Sequence, residues 1–243
     1  MMSAKIGGHS PPYNSDKHME NDNSARAEIL MKLKAAGKKA IPPRPNLPAL
    51  SEVILTREEK VAKFIEEVNG QTGGVHQVQD KADALAILTE IVQAEKISTF
   101  MASNDDVITD LELPRWGGKC GVKVLNSQDF NDRDRFIKAV FEEAQAGITG
   151  ADFAVAESGT IGLVHDKDRP RLISLAPIHH IVILPLDRLV PVYENVTEIL
   201  FGQGVSTPRH VTLITGPSMT ADIQATPFKG MHGPKRLDII LVG

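Results

Sequence analysis

The sequence contains a single cysteine, Cys120, among 243 residues. One thiol cannot form an internal disulfide, and it cannot supply the several thiolates that an iron–sulfur cluster or a structural zinc site requires. The glycines of Gly202-Gln-Gly204 lack the third glycine of a dinucleotide fingerprint and follow a predicted helix instead of a strand. We therefore expect the isolated chain to hold no cofactor, with neither iron, flavin nor zinc in stoichiometric amount.

The sequence also lacks a basic excess and a long hydrophobic run. Lysine and arginine number 27 and aspartate and glutamate 31, and this net charge of −4 argues against nucleic-acid binding. The longest apolar runs, 181–184 and 239–242, have the length of strands, far short of the ~18 residues that a membrane span needs. Residues 1–24 contain no apolar segment typical of a signal peptide. These features predict a cytoplasmic protein with no membrane span.

The N-terminal part differs in pattern from the remainder of the chain. Residues 1–24 are predicted to form a disordered tail. Residues 25–49 begin with a helical pattern that places Ile29, Leu30 and Leu33 on one face, and a proline-rich linker follows. We expect this helical arm to pack on the main domain or on a neighbouring subunit of a homo-oligomer.

Residues 50–243 alternate between helical and strand patterns, which is typical of an α/β domain around a mainly parallel sheet with helices on both faces. The region 152–185 has several strand patterns and no room for helices, so we expect a β-meander inside that sheet, making the sheet mixed. The predicted helices are 56–68, 81–94, 133–146 and 192–201. The predicted strands are 75–78, 97–101, 122–125, 153–156, 161–164, 172–175, 181–184, 211–214 and 237–242.

The strand predicted at 153–156 continues directly into Glu157-Ser158-Gly159-Thr160. Open α/β sheets bind ligands at the carboxyl ends of their strands, which is where Glu157 would stand. Two interpretations are open. Glu157 is a catalytic carboxylate with Ser158, Gly159 and Thr160 beside a ligand, or it is an exposed residue in a hairpin turn.

A second candidate segment, 211–223, has the pattern of a strand, a tight turn and the start of a helix. The free N–H groups of such a turn can hold an anion, and Gly216, Ser218 and Thr220 would be nearest to it. Asp222 would repel a phosphate, although it could accept a hydrogen bond from a substrate hydroxyl. The alternative is that Ser218 or Thr220 simply caps the helix.

Histidines supply the third set of candidates. His232 and Gly233 lie in a glycine-rich turn before the last strand, and we expect them to border a ligand site. Neighbouring residues of a strand point to opposite faces, so His179 and His180 cannot chelate one metal ion. One of the two would be structural and the other would lie in the site, and no metal site is predicted.

Five segments in combination resemble the LUD-domain family, over roughly residues 60–243. They are Gly147-Ile-Thr-Gly-Ala-Asp, Ala156-Glu-Ser-Gly-Thr, Pro177-Ile-His-His-Ile, Thr215-Gly-Pro-Ser-Met-Thr-Ala-Asp-Ile and Gly230-Met-His-Gly-Pro. The resemblance implies a three-layer fold like those of ribose-5-phosphate isomerase, glucosamine-6-phosphate deaminase and the coenzyme A transferases. It also implies a role in oxidising L-lactate to pyruvate beside partner proteins, at least one with iron–sulfur clusters. Met219 stands where relatives often have a basic residue, which weakens the case for an anion there.

Oxidation of lactate releases two electrons, and the sequence shows no redox centre to take them. We therefore expect an accessory or ligand-binding subunit that works with iron–sulfur partner proteins and binds a small molecule. The alternative is a stand-alone enzyme like a coenzyme A transferase or a sugar-phosphate isomerase, with Glu157 as nucleophile or base. A purely structural scaffold is the third possibility. We further expect the turns at Glu157, 216–222 and 230–234 to converge on one cleft.

Overall fold

The computed structural model describes residues 15–36, 53–202, 204–221 and 227–243, with side chains from residue 24 onwards except at residues 221 and 227. The chain divides into two units between residues 49 and 50. In the first unit, helix α1 (Ser15–Ala35) begins before the predicted start at residue 25. Its apolar residues Ile29, Leu30, Met31 and Leu33 are exposed. The predicted linker and Asp222 lie outside the described residues.

The second unit contains the helices and strands of the α/β domain. Its helices are α2 (Arg57–Gly70), α3 (Lys81–Glu95), α4 (Asp106–Thr109), α5 (Leu113–Cys120), α6 (Arg133–Lys138), α7 (Leu172–Leu175) and α8 (Glu194–Phe201). Its strands are β1 (Gly74–Val78), β2 (Thr99–Ala102), β3 (Lys123–Asn126), β4 (Ala146–Gly150), β5 (Phe153–Val155), β6 (Thr160–His165), β7 (His179–Pro185), β8 (Leu189–Val190), β9 (His210–Ile214), β10 (Met219–Ala221), β11 (Pro227–Lys229) and β12 (Arg236–Val242). None of the helices in the described ranges is long and apolar enough to cross a membrane.

A six-stranded sheet in the order β1-β12-β7-β4-β2-β3 forms the centre of this unit, and all of its strand pairs are parallel. Alternate residues of β7 enter different cores. Ile181 and Ile183 pack with α3, α4 and α5 on one face. Val182 and Leu184 pack with α2 and with residues of β5 and β6 on the other face. A strand buried on both faces is continuously apolar, as the sequence of β7 is.

The strands of the 152–185 region do not all join the central sheet. Strands β5 and β6 instead join β8 and β9 in a second, mixed sheet with the order β8-β5-β6-β9. The prediction of an α/β class with a mainly parallel sheet is confirmed, but the prediction of one mixed sheet is wrong. Only Ala151 and Asp152 separate β4 from β5. A return to a parallel neighbour needs a crossover of about a dozen residues or more, so β5 leaves the plane of the first sheet.

Two local predictions fail around β4, which is a central strand that the sequence patterns did not reveal. The helix predicted over 133–146 ends at Lys138 and is followed by a π-helical turn, Ala139–Glu143. The strand predicted at 172–175 is the helix α7. A short apolar run does not distinguish strand from helix. Gly147 in β4 is required by this arrangement, because a Cβ there would lie 1.8 Å from the carbonyl oxygen of Ile173.

The helix predicted to start near residue 217 is also wrong. The chain instead forms a two-stranded hairpin, β10 with β11, in which Thr220 lies opposite Phe228. The turn at Gly216 therefore has no helix dipole behind it, and the physical basis for the predicted anion cradle is lost. Cys120 is the last residue of α5.

Candidate functional site

A cavity of about 230 Å³ lies between the central sheet and the end of β9. It opens where β7 and β12 begin, whereas we expected a site at the carboxyl ends of the strands. Two turns that carry sequence-predicted residues complete its wall. The lining residues are Ser174, Leu175, His180, Thr212, Leu213, Ile214, Thr215, Gly216, Pro217, Ser218, His232, Gly233, Pro234 and Leu237.

Backbone hydrogen bonds hold the two turns together. The N–H of Ser218 donates to the carbonyl oxygen of Pro234 at 2.8 Å. The N–H of Gly230 donates to the carbonyl oxygen of Ser218 at 2.9 Å. Gly216 has a φ of +80°, and a Cβ at this position would lie 2.7 Å from Cβ of Gln71. Both the conformation and the close approach therefore require glycine.

His180 and Ser174 are both almost completely buried in the cavity wall, each with 1% of its surface exposed. Nε2 of His180 lies 2.9 Å from Oγ1 of Thr149, and its Nδ1 has no hydrogen-bond partner among the described residues. Burial, and to a smaller extent the nearby His179 and His165, lowers the pKa of His180 to about 3. The imidazole is therefore neutral at pH 7, and its Nδ1 is both unpartnered and closed to water.

A second histidine fixes the hydroxyl of a lining threonine. Nδ1 of His165 lies 3.1 Å from the carbonyl oxygen of Arg169, which can only accept, so Nδ1 carries the proton. Nε2 must then accept the hydrogen bond from the Thr212 hydroxyl at 2.8 Å. Burial lowers the pKa of His165, which favours this neutral form. The proton of Thr212 is thereby committed, and its oxygen is left to accept a hydrogen bond from a ligand.

Four hydroxyl groups cluster at the wall of the cavity. Oγ1 of the fully buried Thr160 lies 2.8 Å from Ser158 Oγ, 2.6 Å from Tyr193 OH and 2.6 Å from Thr215 Oγ1. One hydroxyl has a single proton to donate, so Thr160 accepts at least two of these bonds. Thr215 lines the cavity. Ser158 and Thr160 lie behind Thr215 and support the position of its side chain.

The carboxylate of Glu157 binds the backbone at the start of α8 and does not line the cavity. Its Oε1 accepts a hydrogen bond from the N–H of Tyr193 at 2.9 Å, and its own N–H donates to the carbonyl oxygen of Pro191. Gly159, with a φ of +63°, is needed by packing, because a Cβ there would lie 2.7 Å from the backbone nitrogen of Val68. The turn therefore fits the hairpin interpretation better than the catalytic one.

Two of the three turns expected to converge share the cavity, and the third reaches it only indirectly. Gly216 and Ser218 meet His232 and Gly233 there, together with His180. The Glu157 turn connects to the cavity through the hydroxyl cluster. Thr220 lies in β10 and is not a lining residue.

His179 lies on the opposite face of β7 from His180, as the alternation of a strand requires. Its Nε2 is 2.7 Å from one carboxylate oxygen of Asp238, and Nε2 of His76 is 2.8 Å from the other. Burial would raise the pKa of the Asp238 carboxyl, but the hydrogen bonds with His179 and His76 outweigh it and hold the pKa well below its usual range. In the parts of the chain that the structure describes, no three such side chains are arranged to bind a metal ion.

A buried carboxylate occupies the carboxyl edge of the central sheet between β2 and β4. Asp105 accepts hydrogen bonds from the hydroxyl of Ser103, from the N–H of Ile108 at 3.0 Å and from the N–H of Gly150 at 2.9 Å. A Cβ on Gly150 would lie 2.5 Å from this carboxylate. Asp105 therefore fills the gap between β2 and β4 at this edge, where α/β sheets often bind ligands. Other cavities remain open along the same edge, at the ends of β1, β7 and β12 and at the ends of β2 and β3.

Sequence reasoning missed several polar groups of these sites. Thr212 and Thr215 flank apolar residues of β9, and nothing in that short pattern distinguishes a lining threonine from a surface one. Asp238 did have a signal, because it is a charge inside an otherwise apolar strand and such a group needs a partner when it is buried.

Comparison with known proteins shows the family. Residues 61–242, which include every lining residue of the cavity, match the model described as the LUD domain. Lactate utilization protein C of Halalkalibacterium halodurans is 28% identical over 205 residues, covering 82% of this chain and 87% of that protein. Lactate utilization protein C 1 of Bacillus mycoides is 31% identical over 165 residues, covering 67% of this chain and 70% of that protein.

Other similarities are more limited in length or in identity. Lactate utilization protein C of Oceanobacillus iheyensis is 39% identical, but the match spans 43% of this chain and 46% of that protein. The crystal structure of a DUF162 family protein from Deinococcus radiodurans has a TM-score of 0.57 at 22% identity, covering 78% of this chain and 100% of that one. The fold is therefore shared with that structure. On the strength of the match over residues 61–242, the chain belongs to the LUD-domain family.

Proposed function

We propose that this chain is a ligand-binding subunit of an L-lactate utilisation system, and that the cavity beside His180 holds its small-molecule ligand. The shared name of the relatives, lactate utilization protein C, supports the assignment to such a system. The observation that carries the site is the unpartnered Nδ1 of His180. A buried polar atom without a partner is costly, and a ligand that displaced the groups now covering Nδ1 would supply the missing hydrogen bond.

The cavity has suitable dimensions and chemistry for a small organic acid. Its volume of about 230 Å³ equals that of roughly eight water molecules at ~30 Å³ each, enough for a three-carbon ligand and accompanying water. Thr212 offers an acceptor and Ser218 a hydroxyl, whereas Leu175 and Leu237 offer apolar contact.

The electrons released by lactate oxidation would pass to partner proteins. Conversion of lactate to pyruvate yields two electrons and two protons, and the one cysteine of this chain cannot hold an iron–sulfur cluster. We propose that iron–sulfur partners in the cytoplasm accept the electrons while this chain binds or presents the organic acid. We propose the same layered fold type as in ribose-5-phosphate isomerase and the coenzyme A transferases, without their use of a catalytic glutamate. The hydrogen bond from Tyr193 to Glu157 supports this distinction.

Reconstitution with the candidate partner proteins tests the function. Lactate-dependent reduction of an electron acceptor is measured with the partners alone and after addition of this chain, and we expect addition to raise the rate at least severalfold. Equal rates with and without the chain would contradict the proposal.

A matched pair of variants tests the cavity in the same assay. Leu175→Trp introduces bulk at the cavity, and Ile199→Trp introduces the same bulk at a position on α8 that does not line it. Both native side chains are 38% exposed, so the structural cost of the two changes is comparable. Loss of stimulation in the first variant alone is expected. The same loss in both, or in neither, would argue against this cavity.

A further inference from the structure

We infer that the chain has a second ligand site, at the carboxyl ends of β2 and β3, and that this site takes an uncharged nucleoside whose ribose hydroxyls bind Asn126 and Asp129. The site is a cavity of about 310 Å³. It goes beyond the proposed function, because the cavity beside His180 opens at the amino ends of β7 and β12. Three features carry the inference: the paths of the chain after β2 and β3, the hydrogen-bonding groups left open at the wall, and the charges around it.

The chain leaves β2 and β3 toward opposite faces of the central sheet. After β2 it enters α4 and α5, which pack in the core that also contains Ala102. After β3 it reaches α6, whose Phe136 packs with Met101 in the core on the other face. Ala102 and Asn126 are partners in the parallel ladder, so the two loops begin side by side. Loops that diverge in this way leave a crevice outside the strand ends, and α/β sheets commonly bind ligands in such a crevice.

The polar lining residues offer both an acceptor and donors. Oδ2 of Asp129 accepts a hydrogen bond from the N–H of Asn126 at 2.8 Å, which leaves Oδ1 for a ligand. The side-chain oxygen of Asn126 accepts from the N–H of Gln128 at 3.1 Å, which leaves its two amide protons. These amide protons and the carboxamide of Asn104 are not closed to water in the described part of the chain. Ribose hydroxyls both donate and accept, so a pair of them matches a carboxylate oxygen beside an amide N–H₂.

The other lining residues are apolar and favour a ligand with a flat ring. Ile108 and Leu113 are buried, Val124 is half-buried and Pro114 is exposed. A nucleobase against these side chains would remove apolar surface from water, at about 25 cal/mol per Å². The carboxamide of Asn104 combines a donor with an acceptor, which is the arrangement that pairs with the edge of a base. A free sugar has hydroxyls over most of its surface and would leave the apolar side chains without a partner.

The charges around the cavity exclude a phosphorylated ligand. Asp129 lines it, whereas no lysine or arginine is among the lining residues, all of which the structure describes. Asp105 lies behind the wall, where it accepts a hydrogen bond from the lining Ser103. Arg115 is next to the cavity in sequence but is paired with Glu112. A phosphate would therefore meet carboxylates without a counter-charge. The volume of about 310 Å³ is at the small end for ligand sites, which also excludes a dinucleotide.

Equilibrium dialysis of the full-length wild-type chain with radiolabelled adenosine tests the inference. Adenosine should bind saturably, and 2′,3′-dideoxyadenosine should bind about tenfold more weakly, because it loses a hydrogen bond to a charged group. Adenosine 5′-monophosphate and free ribose should each bind at least about tenfold more weakly as well. L-Lactate should not compete. Absence of adenosine binding, equal binding of the dideoxy compound, tighter binding of the monophosphate or ribose, or competition by lactate would each overturn the inference. The proposed function is tested separately, because none of these measurements depends on lactate oxidation.

Asp129→Asn and its matched control Asp132→Asn locate the site. Both carboxylates accept a hydrogen bond from a backbone N–H at the start of a helical turn, and asparagine can do the same. Asp132 does not line the cavity. We expect Asp129→Asn to bind adenosine about tenfold more weakly and to lose most of the preference over 2′,3′-dideoxyadenosine, whereas Asp132→Asn should keep the wild-type affinity. Equal affinities in the two variants would overturn the inference. Urea unfolding confirms that both variants are folded, and if Asp129→Asn is not, the wild-type dialysis still decides the question.

Discussion

The carboxylate of Asp238 in β12 lies 2.7 Å from Nε2 of His179 in the neighbouring strand β7. The second carboxylate oxygen binds His76 of β1, so one side chain ties together three adjacent strands of the central sheet. The Asp238 side chain is largely shielded from water, with 22% of its surface exposed. Its hydrogen bonds are therefore expected to contribute to stability more than those of an exposed pair.

Asp238→Asn should lower the free energy of unfolding at pH 7 by about 1–3 kcal/mol, because a buried charge-assisted hydrogen bond is replaced by a weaker one. The folded-state pKa of Asp238 is depressed below the ordinary value of 3.8, so its contribution is present above that pH and is lost as pH falls through the folded pKa. The difference between wild type and variant should therefore shrink below pH 4. Urea unfolding at several pH values measures it. A difference that grew on acidification would contradict the sign argued here.

His180 predicts a second pH dependence. Its pKa is about 3 in the folded protein and 6.5 ordinarily, so the unfolded chain takes up a proton as pH falls below 6.5 while the folded protein does not. Stability is then lost between about pH 6.5 and pH 3, with a slope approaching about 1.4 kcal/mol per pH unit from this one group. The comparison of wild type with His180→Phe between pH 7 and pH 5 isolates that slope from the contribution of His165. Parallel curves would show that folding does not lower the pKa of His180.

Gly147→Ala should be strongly destabilising, by more than about 3 kcal/mol, because the added Cβ would lie 1.8 Å from the backbone oxygen of Ile173 and no flexible side chain can yield. Gly118→Ala in α5 is the matched control. Nothing lies within 4 Å of a Cβ at that position, and alanine favours the helix by up to about 1 kcal/mol. Thermal unfolding of the two variants should move in opposite directions. Equal behaviour would mean that α7 does not approach β4 as described.

These glycines show what the sequence could and could not predict. The alternating faces of His179 and His180, and most helix and strand positions, follow from local periodicity. Strand β4 was hidden because Gly147 and Gly150 interrupt its apolar pattern, and the reason for both glycines lies in distant residues, Ile173 and Asp105. A close approach between segments far apart in sequence leaves no local signal beyond the glycine itself.

The candidate site was predictable to a similar extent. The turns at Gly216 and at His232–Gly233 were recognised as functional candidates, and the structure brings them to one cavity with His180. Their position at the amino ends of β7 and β12 was not predictable, because the general rule for α/β sheets favours the other edge. The occupation of the gap between β2 and β4 by Asp105 depends on hydrogen bonds from Ser103 and Gly150, which are 47 residues apart in sequence numbering.

Glu157→Gln should leave lactate-dependent activity of the reconstituted system within about twofold of the wild type, because the amide oxygen can still accept the hydrogen bond from Tyr193. Glu157→Ala removes the acceptor and should lower the free energy of unfolding by about 1 kcal/mol. Activity assays and urea unfolding on both variants distinguish the roles. A loss of activity above a hundredfold in Glu157→Gln, with the fold intact, would instead assign the carboxylate to catalysis.

Thr160→Val tests the hydroxyl cluster behind the cavity. Valine has the shape of threonine, but the change removes the oxygen at which Ser158, Tyr193 and Thr215 meet. The remaining hydroxyls lose a partner, but Tyr193 and Thr215 are exposed and can bind water instead, so we expect a loss of about 1 kcal/mol in the free energy of unfolding. Thr215 would also lose its support, so ligand binding in the cavity should weaken. Thr197→Val is the control, because the Thr197 hydroxyl only bonds the carbonyl of Glu194 on the exposed side of α8. Urea unfolding and ligand titration of both variants decide the matter, and a Thr160→Val protein as stable as the Thr197→Val control would show that the cluster does not support the cavity wall.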